Sequence, residues 1–353
     1  MKNKMFKNVL LINDTSNNHH HGCEIVMSNF ENLLNKHHFK ISNRVKNGFD
    51  WHKKIHFLNN LENIDIVIVN GEGSIHHNQK IGYDMIKIAK YAKKYNKPAV
   101  LINCTYESNS HDYKKYLEFF DIISVRESRS YKELKKIDVN SLIVPDLCFY
   151  FDLLKDNYYK RSNKIILSDS NILEITKKLF ICSKKNNNYV YIPILTNGMN
   201  FIKNDFFLLK KIKYYIKKNL FKFFKFEPNN NDKNRYYGVG SFYDYLEILK
   251  KNNFLISGRF HSTCFAIITK TPFLAIKSNT FKIESLIEDV QLNKERLIEL
   301  SYLTKNEMYD KSNFIKYKFS DQELNNIDKY ILSSKNKIEN LFINIKKLVD
   351  NEK

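Results

Sequence analysis

Short apolar runs recur along the chain, separated by longer segments of helical periodicity. In the first 150 residues the runs are Val9–Ile12, Ile64–Val69, Ala99–Ile102 and Ile122–Val125, with a further extended piece at Leu142–Val144. Between them lie segments such as 81–95, where Ile81, Met85, Ile88, Ala89 and Ala92 fall at helical spacing. The alternation predicts a parallel α/β sheet. It restarts at 164–169, followed by Tyr189–Leu195, Phe254–Ser257 and Phe273–Ile276, which predicts a second, smaller α/β domain. Pro193 inside one of these runs implies a bulge or a strand end. The boundary falls near 152–163, where no periodicity is evident. From Ser320 onward Leu324, Ile327, Ile331, Ile338, Leu341, Ile345 and Leu348 share one face, and Ser320 with Glu323 makes a capping box, so the chain ends in a long amphipathic helix.

A length of 353 residues with 43% hydrophobic content supplies two packed cores. The net charge of +20 and pI near 9.4 point to anionic partners, but Lys, Asn, Ile, Tyr and Phe are all abundant while Gly and Pro are scarce. That is a compositional bias, and charge alone discriminates little. The lysines are scattered and no nucleic-acid module is present, so no nucleic-acid partner is expected. Residues 203–226 hold eight lysines among many aromatics. This is the pattern of a helix with a solvated lysine face or, alternatively, of peripheral contact with an anionic inner membrane.

Cys23, Cys104, Cys148, Cys182 and Cys264 are odd in number and far apart, which fits a reducing cytoplasm and neither a disulfide framework nor a zinc knuckle. The apolar run after the basic start is too short for a secretory core, and no apolar stretch approaches the ~20 residues needed to span a bilayer.

In an open parallel sheet ligands bind beyond the carboxyl ends of the strands, so the residues following each run carry the functional information. Leu10–Ile12 is followed by Asn13-Asp14-Thr15-Ser16 and then His19-His20-His21-Gly22-Cys23-Glu24, and Ile66–Val69 by Asn70-Gly71-Glu72-Gly73-Ser74-Ile75-His76-His77. Ile122–Val125 is followed by Arg126-Glu127-Ser128-Arg129, and Phe254–Ile256 by Ser257-Gly258-Arg259-Phe260-His261-Ser262-Thr263.

Arg259 offers a planar fork for a phosphate or carboxylate, and His261 can bind the same anion or move a proton. The competing reading is a structural ion pair for Arg259 and a satisfied core histidine at 261. Gly71 and Gly73 flank Glu72 in a turn that lets backbone amides approach a ligand, with a helix start expected behind Ser74. Glu72 with His76 or His77 is a candidate acid/base pair, or else caps the turn. Neither a Walker loop nor a dinucleotide fingerprint is present. Of the two arginines that open the helix after 125, Arg126 is the better placed for the cleft, and Arg129 is expected to pair with Glu133. The three consecutive histidines lack a metal-ligand spacing, so no metal is expected.

These residues resemble the polysaccharide pyruvyl transferase family. The resemblance spans about residues 8–290 and rests on Asn70-Gly71-Glu72-Gly73-Ser74, on Ser124-Val125-Arg126-Glu127 with Ser130 and Leu134, on Val144-Pro145-Asp146-Leu147, and on Ser257-Gly258-Arg259-Phe260-His261. Ala266, Thr271-Pro272-Phe273, Lys277 and Lys282 continue it. It implies two Rossmann-like domains in a GT-B-like arrangement, 1–155 on the acceptor side and 160–300 on the donor-anion side, followed by the helical segment 301–353.

It further implies transfer of a pyruvyl group from phosphoenolpyruvate, as a ketal, to two hydroxyls of a sugar in a bacterial surface polysaccharide such as capsule or lipooligosaccharide, or in its lipid-linked precursor. No cofactor is implied. His261, Glu72 and Arg259 are the catalytic candidates. Arg126, Gly71, Gly73, Ser74, His77, Asp14, His21, Ser257, Gly258 and Ser262 are the binding candidates. The family's glycine loop often reads Gly-Gly-Gly-Asn-X-Gly-Asp, whereas Glu72, Ser74, His76 and His77 stand at four of its positions here. The amino-terminal loop also departs, with His19–Glu24 in place of an Asn-X-Gly-Asp pattern. A nucleotide-activated sugar as donor, and a non-catalytic glycan-assembly protein, therefore remain as alternatives.

Overall fold

The computed structural model describes residues 6–48, 61–152, 161–185, 187–196, 239–299, 301 and 312–351. The aromatic-lysine stretch 203–226, and most of the expected boundary 152–163, lie outside the described residues.

The strands are β1 (Lys7–Asp14), β2 (Phe39–Lys46), β3 (Ile66–His76), β4 (Ala99–Glu107), β5 (Ile122–Val125), β6 (Leu142–Ile143), β7 (Ser162–Ser170), β8 (Tyr189–Tyr191), β9 (Asn252–Gly258), β10 (Phe273–Ile276) and β11 (Leu297–Ile298). They form a six-stranded sheet in the order β2-β1-β3-β4-β5-β6 and a five-stranded sheet in the order β11-β10-β9-β7-β8. Every strand pairing is parallel. The central strands are buried throughout their middles, as strands covered on both faces must be.

β2 and β11, each at one edge of its sheet, lie outside the apolar runs read from the sequence. β2 alternates buried and exposed positions, with Lys40, Ser42, Arg44 and Lys46 interrupting its apolar residues. β8 stops at Tyr191, two residues short of Pro193, so the proline marks a strand end. The helical segment 81–95 is interrupted at Lys87, giving helices Lys80–Ile86 and Ile88–Lys94.

The expected glycine turn is not a turn. β3 continues through Asn70-Gly71-Glu72-Gly73-Ser74 to His76, because β4 runs on beside it to Glu107 and keeps pairing with it, Ile75 opposite Tyr106 and His76 opposite Glu107. A register shift between Glu72 and Ile75, with Glu72 at φ 38°, absorbs the irregularity. No helix starts behind Ser74; the next begins at Lys80.

One hydrophobic cluster joins both halves. It includes Val9, Phe30 and Ile102 from the first, Leu255 and Phe265 from the second, and Ile331, Phe342 and Ile345 from the helix Asp321–Asn351. That helix opens with the expected capping box: Glu323 N donates to Ser320 Oγ at 3.2 Å and Ser320 N to Glu323 Oε2 at 3.1 Å. It packs on the helix His21–Lys36 through Phe342 against Phe30, and on the turn Leu147–Phe149 through Tyr330 against Phe149. Among the described residues no helix is long and apolar enough to cross a membrane.

Polar contacts also tie the halves together. The helix Ser128–Lys136 receives no cap from its own Glu127 side chain; instead Ser128 N donates to Asp289 Oδ2 at 2.9 Å and Arg129 N to Ser285 Oγ at 3.2 Å. Arg129 pairs with Glu288 through two bonds, of 2.9 and 2.8 Å, and not with Glu133. The reason is reach: Glu288 comes from the facing helix Lys282–Asp289, while Glu133 is taken by Lys136. His20 bridges Leu195, and Thr196 N donates to His19 O, which stitches the amino-terminal loop to the end of β8.

Candidate active site

The carboxyl ends of β5 and β9 face each other. Arg126, just past β5, is buried; its Nε donates to Thr105 Oγ1 at 2.8 Å and its Nη1 to Asp146 Oδ2 at 2.8 Å. The guanidinium lies 4.3 Å over the ring of Phe260, which belongs to the other half. Asp146 Oδ2 also stands 3.6 Å from His261 Nε2, and Oδ1 accepts from Cys148 N. Burial alone would raise the Asp146 carboxyl, but His261 and Arg126 outweigh it and hold the group well below the usual range. His261 Nε2 is buried without a hydrogen-bond partner among the described residues. The imidazole is wedged between Gly22, His20 and Phe260.

Arg259 stands at the N-cap position of the helix Phe260–Ile268, and its Nε donates to Asp169 Oδ2 at 2.8 Å, so the structural ion pair left open by the sequence is present. Its Nη1 reaches Asn171 at 3.3 Å. The side chain nonetheless keeps 16% of its surface open, while Asp169 is fully buried and also accepts from Ile194 N. One carboxylate thus orients the fork and leaves part of it facing the cleft.

Glu72 sits in the bulge of β3. Oε1 accepts from Thr15 Oγ1 at 2.6 Å and Asn70 Nδ2 at 3.0 Å, and Oε2 from Cys23 Sγ at 3.5 Å. Burial and this carboxylate push the Cys23 thiol well up, which removes it as a nucleophile.

Gly73 faces two cations: a Cβ there would stand 3.4 Å from Arg126 Nη2 and 3.5 Å from Lys282 Nζ. His76, not His77, turns into this corner. Burial, Lys282 and His77 lower the His76 imidazole to about 4. Burial and Arg126 bring the Lys282 ammonium down to about 7. Behind Arg126, burial pushes the Glu127 carboxyl up to about 7, despite Arg126 and the Ser130 and Thr105 hydroxyls that donate to it.

The remaining candidates play other parts. Asp14 pairs with Arg44 at 3.4 Å and accepts from Ser16 N. His21 packs on Tyr245, and its Nδ1 lies 3.1 Å from Glu24 Oε2. Ser262 belongs to a buried hydroxyl network with Ser168 and Tyr245. Ser257 Oγ accepts from Arg259 N. Gly71 and Gly258 permit close approach of Cys104 and Ser170, and the Ser74 carbonyl packs on Gly82. His77 is half-exposed, 3.9 Å from Glu107. Among the described residues no group of three or more His, Cys, Asp or Glu side chains is arranged to hold a metal.

A model of the polysaccharide pyruvyl transferase family matches residues 6–280, most of the chain. The chain belongs to that family. Membership in that family implies a transferase.

No curated protein matches the sequence. Several solved structures share the fold. A UDP co-structure of S. aureus MnaA is 12% identical at a TM-score of 0.51, covering 93% of this chain and 98% of that one. A UDP-N-acetylglucosamine 2-epimerase is 10% identical at 0.51, covering 97% and 96%. The Methanocaldococcus jannaschii UDP-GlcNAc 2-epimerase in complex with UDP-GlcNAc and UDP is 12% identical at 0.50, covering 93% and 99%. At such identities the likeness establishes the GT-B-like, two-sheet architecture of this family member and nothing of its chemistry.

Asp146 and Lys282 belong to the sequence motifs that carry the family resemblance, yet no spacing rule assigns them to the cleft. His76 could be told from His77 only by knowing how far β3 runs. Thr105 and Glu127 are ordinary strand and helix-start residues until the fold puts them around Arg126.

Proposed function

We propose that the protein transfers the pyruvyl group of phosphoenolpyruvate, as a ketal, onto two hydroxyls of a sugar in a bacterial surface polysaccharide or its lipid-linked precursor. The observation that supports this most is the convergence of Arg126 and His261 on Asp146, with Arg259 at the same helix start. The donor is a compact trianion, and guanidinium forks from both halves suit its phosphate and carboxylate. In this reading residues 1–155 receive the acceptor and 160–300 form the donor-anion side, with Arg126 reaching the donor from the first half. The reaction runs in the cytoplasm or at the inner-membrane surface, and requires neither metal nor cofactor.

His261 gives a proton to the C3 methylene, which leaves C2 electrophilic. An acceptor hydroxyl forms a bond to C2 and its proton passes to a base, for which Glu72 is the candidate. The C2–O bond to phosphate then breaks and phosphate departs with the proton held by the base, while the second hydroxyl adds to C2 and returns its proton to His261, which closes the ketal. Asp146 steadies the imidazole, with Oδ2 3.6 Å from Nε2.

Incubation with phosphoenolpyruvate and glycan fractions should release inorganic phosphate and leave a pyruvylated sugar detectable by mass spectrometry. Turnover of a nucleotide sugar without phosphate release from phosphoenolpyruvate would replace this reading with glycosyl transfer. Silence toward every donor would favour a binding role in glycan assembly.

A further inference from the structure

Lys282 is a buried cation that the scheme above leaves unused. It opens the helix Lys282–Asp289 with only 6% of its surface exposed. Its ammonium donates to Asn279 Oδ1 at 3.0 Å, and it forms no ion pair among the described residues. Its buried neighbours are paired, Arg126 with Asp146 and Arg259 with Asp169. An ammonium withdrawn from water without a counter-ion is costly, and the start of a helix adds partial positive charge.

The groups facing it are Arg126 and Glu127 beyond β5, Arg259 beyond β9, Glu107 at the end of β4 and His76 at the end of β3. Neither carboxylate forms an ion pair with it: Glu127 and Glu107 offset only part of the burial that lowers its ammonium, and Glu107 Oε2 accepts from Phe281 N at 2.8 Å. Gly73 keeps the space between Lys282 Nζ and Arg126 Nη2 clear. Asn279 Nδ2 lies 3.5 Å from His76 Nε2. His76 stands where the family's loop often carries glycine, so this corner has gained a hydrogen-bonding ring.

We propose that Lys282, Arg126 Nη2, His76 and Asn279, grouped around Gly73, form a subsite for a phosphate monoester whose dianion is the counter-ion of Lys282. The inference rests on the cleft's serving an anionic substrate. Its ligand is either the enol phosphate of the donor or the phosphate of a phosphorylated sugar acceptor. An arriving dianion favours the charged ammonium, so binding near pH 8 draws a proton from solvent.

Isothermal titration of the full chain at pH 8, in two buffers of different ionisation enthalpy, tests this with inorganic phosphate, phosphoenolpyruvate, pyruvate and glucose 1-phosphate. Phosphate should bind with net proton uptake. Lys282→Met should abolish that uptake and weaken phosphate about tenfold or more, the loss of one charge-assisted contact, with pyruvate unaffected. His76→Gly should weaken phosphate by a smaller factor. Wild-type phosphate binding without proton uptake, or unchanged affinity in a cooperatively melting Lys282→Met protein, would overturn the subsite. If Lys282→Met does not fold, the wild-type uptake and the His76→Gly affinity decide.

Displacement of phosphate by phosphoenolpyruvate but not glucose 1-phosphate assigns the subsite to the donor, and the reverse assigns it to the acceptor. Lysine-dependent phosphate binding without turnover of phosphoenolpyruvate would remove the proposed reaction and leave the subsite standing.

Discussion

Gly22 lies in the first turn of the helix His21–Lys36 with the His261 imidazole packed directly over it. A Cβ at position 22 would stand 2.2 Å from His261 Cγ, 2.4 Å from Nδ1 and 2.5 Å from Cβ, where ordinary contact begins at 3.4 Å. In Gly22→Ala the ring must therefore retreat by about 1 Å, a displacement that costs on the order of 100-fold in rate when it befalls a reacting group. There is little room to retreat, since the rings of Phe260 and His20 are centred 5.3 and 5.4 Å away and Asp146 stands at 3.6 Å. Overpacking of this kind costs about 1–3 kcal/mol, of which alanine's better helix propensity returns up to about 1 kcal/mol. Phosphate release from phosphoenolpyruvate should fall about 100-fold, while the circular-dichroism melt stays cooperative and drops by only a few degrees. Wild-type turnover with a wild-type melting temperature would mean that His261 does not act from the position described.

Arg259→Lys should keep the charge opposite Asp169 and the cooperative melt, yet weaken phosphoenolpyruvate binding about tenfold because a lysine has no fork; titration calorimetry reads the difference. The His76 imidazole is held near 4 against an ordinary 6.5, so as pH falls from about 6.5 to 4 the unfolded chain takes up a proton that the folded one refuses, and stability is lost across that window. His76→Gly should flatten that part of the plot of melting temperature against pH. Glu127 has the opposite sign: with its folded value near 7 against 4.5, its contribution is full below about 4.5 and is lost as pH rises to about 7. Glu127→Gln should retain stability through that rise, and an unchanged slope would contradict the assignment. Phe342→Ala should cost about 3–5 kcal/mol in a denaturant melt, because the ring is fully buried against Phe30 and His37 where the terminal helix meets the helix His21–Lys36.

The α/β order of the chain was legible because its inner strands are buried on both faces and so read as unbroken apolar runs. β2 escaped because an edge strand needs only one covered face, and Lys40, Arg44 and Lys46 erase its run. The terminal helix was legible to its first turn, because a capping box is a local code, realised between Ser320 and Glu323.

The glycine segment misled for a physical reason. Glycines between apolar and polar residues usually signal a turn, but β4 was long enough to keep pairing, and a neighbouring strand's length is not written in the local sequence. The same non-locality hid the partner of Arg129, which is in the other half of the chain. Arg126, Arg259 and His261 stood out as charged or titratable groups ending apolar runs. The groups that hold them, Asp146 and Asp169, are distant in sequence from the arginines they orient.

The caps on the helix Ser128–Lys136 come from Ser285 and Asp289, across the interface. Arg126 immediately precedes that helix, so its aim depends on side chains encoded about 160 positions downstream. A chimaera that grafts residues 1–155 onto a relative's second half would leave this helix start unsatisfied wherever the graft lacks an acceptor at the Asp289 position. The arginine would then stand on a frayed support even though its own half is intact. Evolution of one half is thereby tethered to the other, and an exchange of halves succeeds only if that carboxylate travels with the graft.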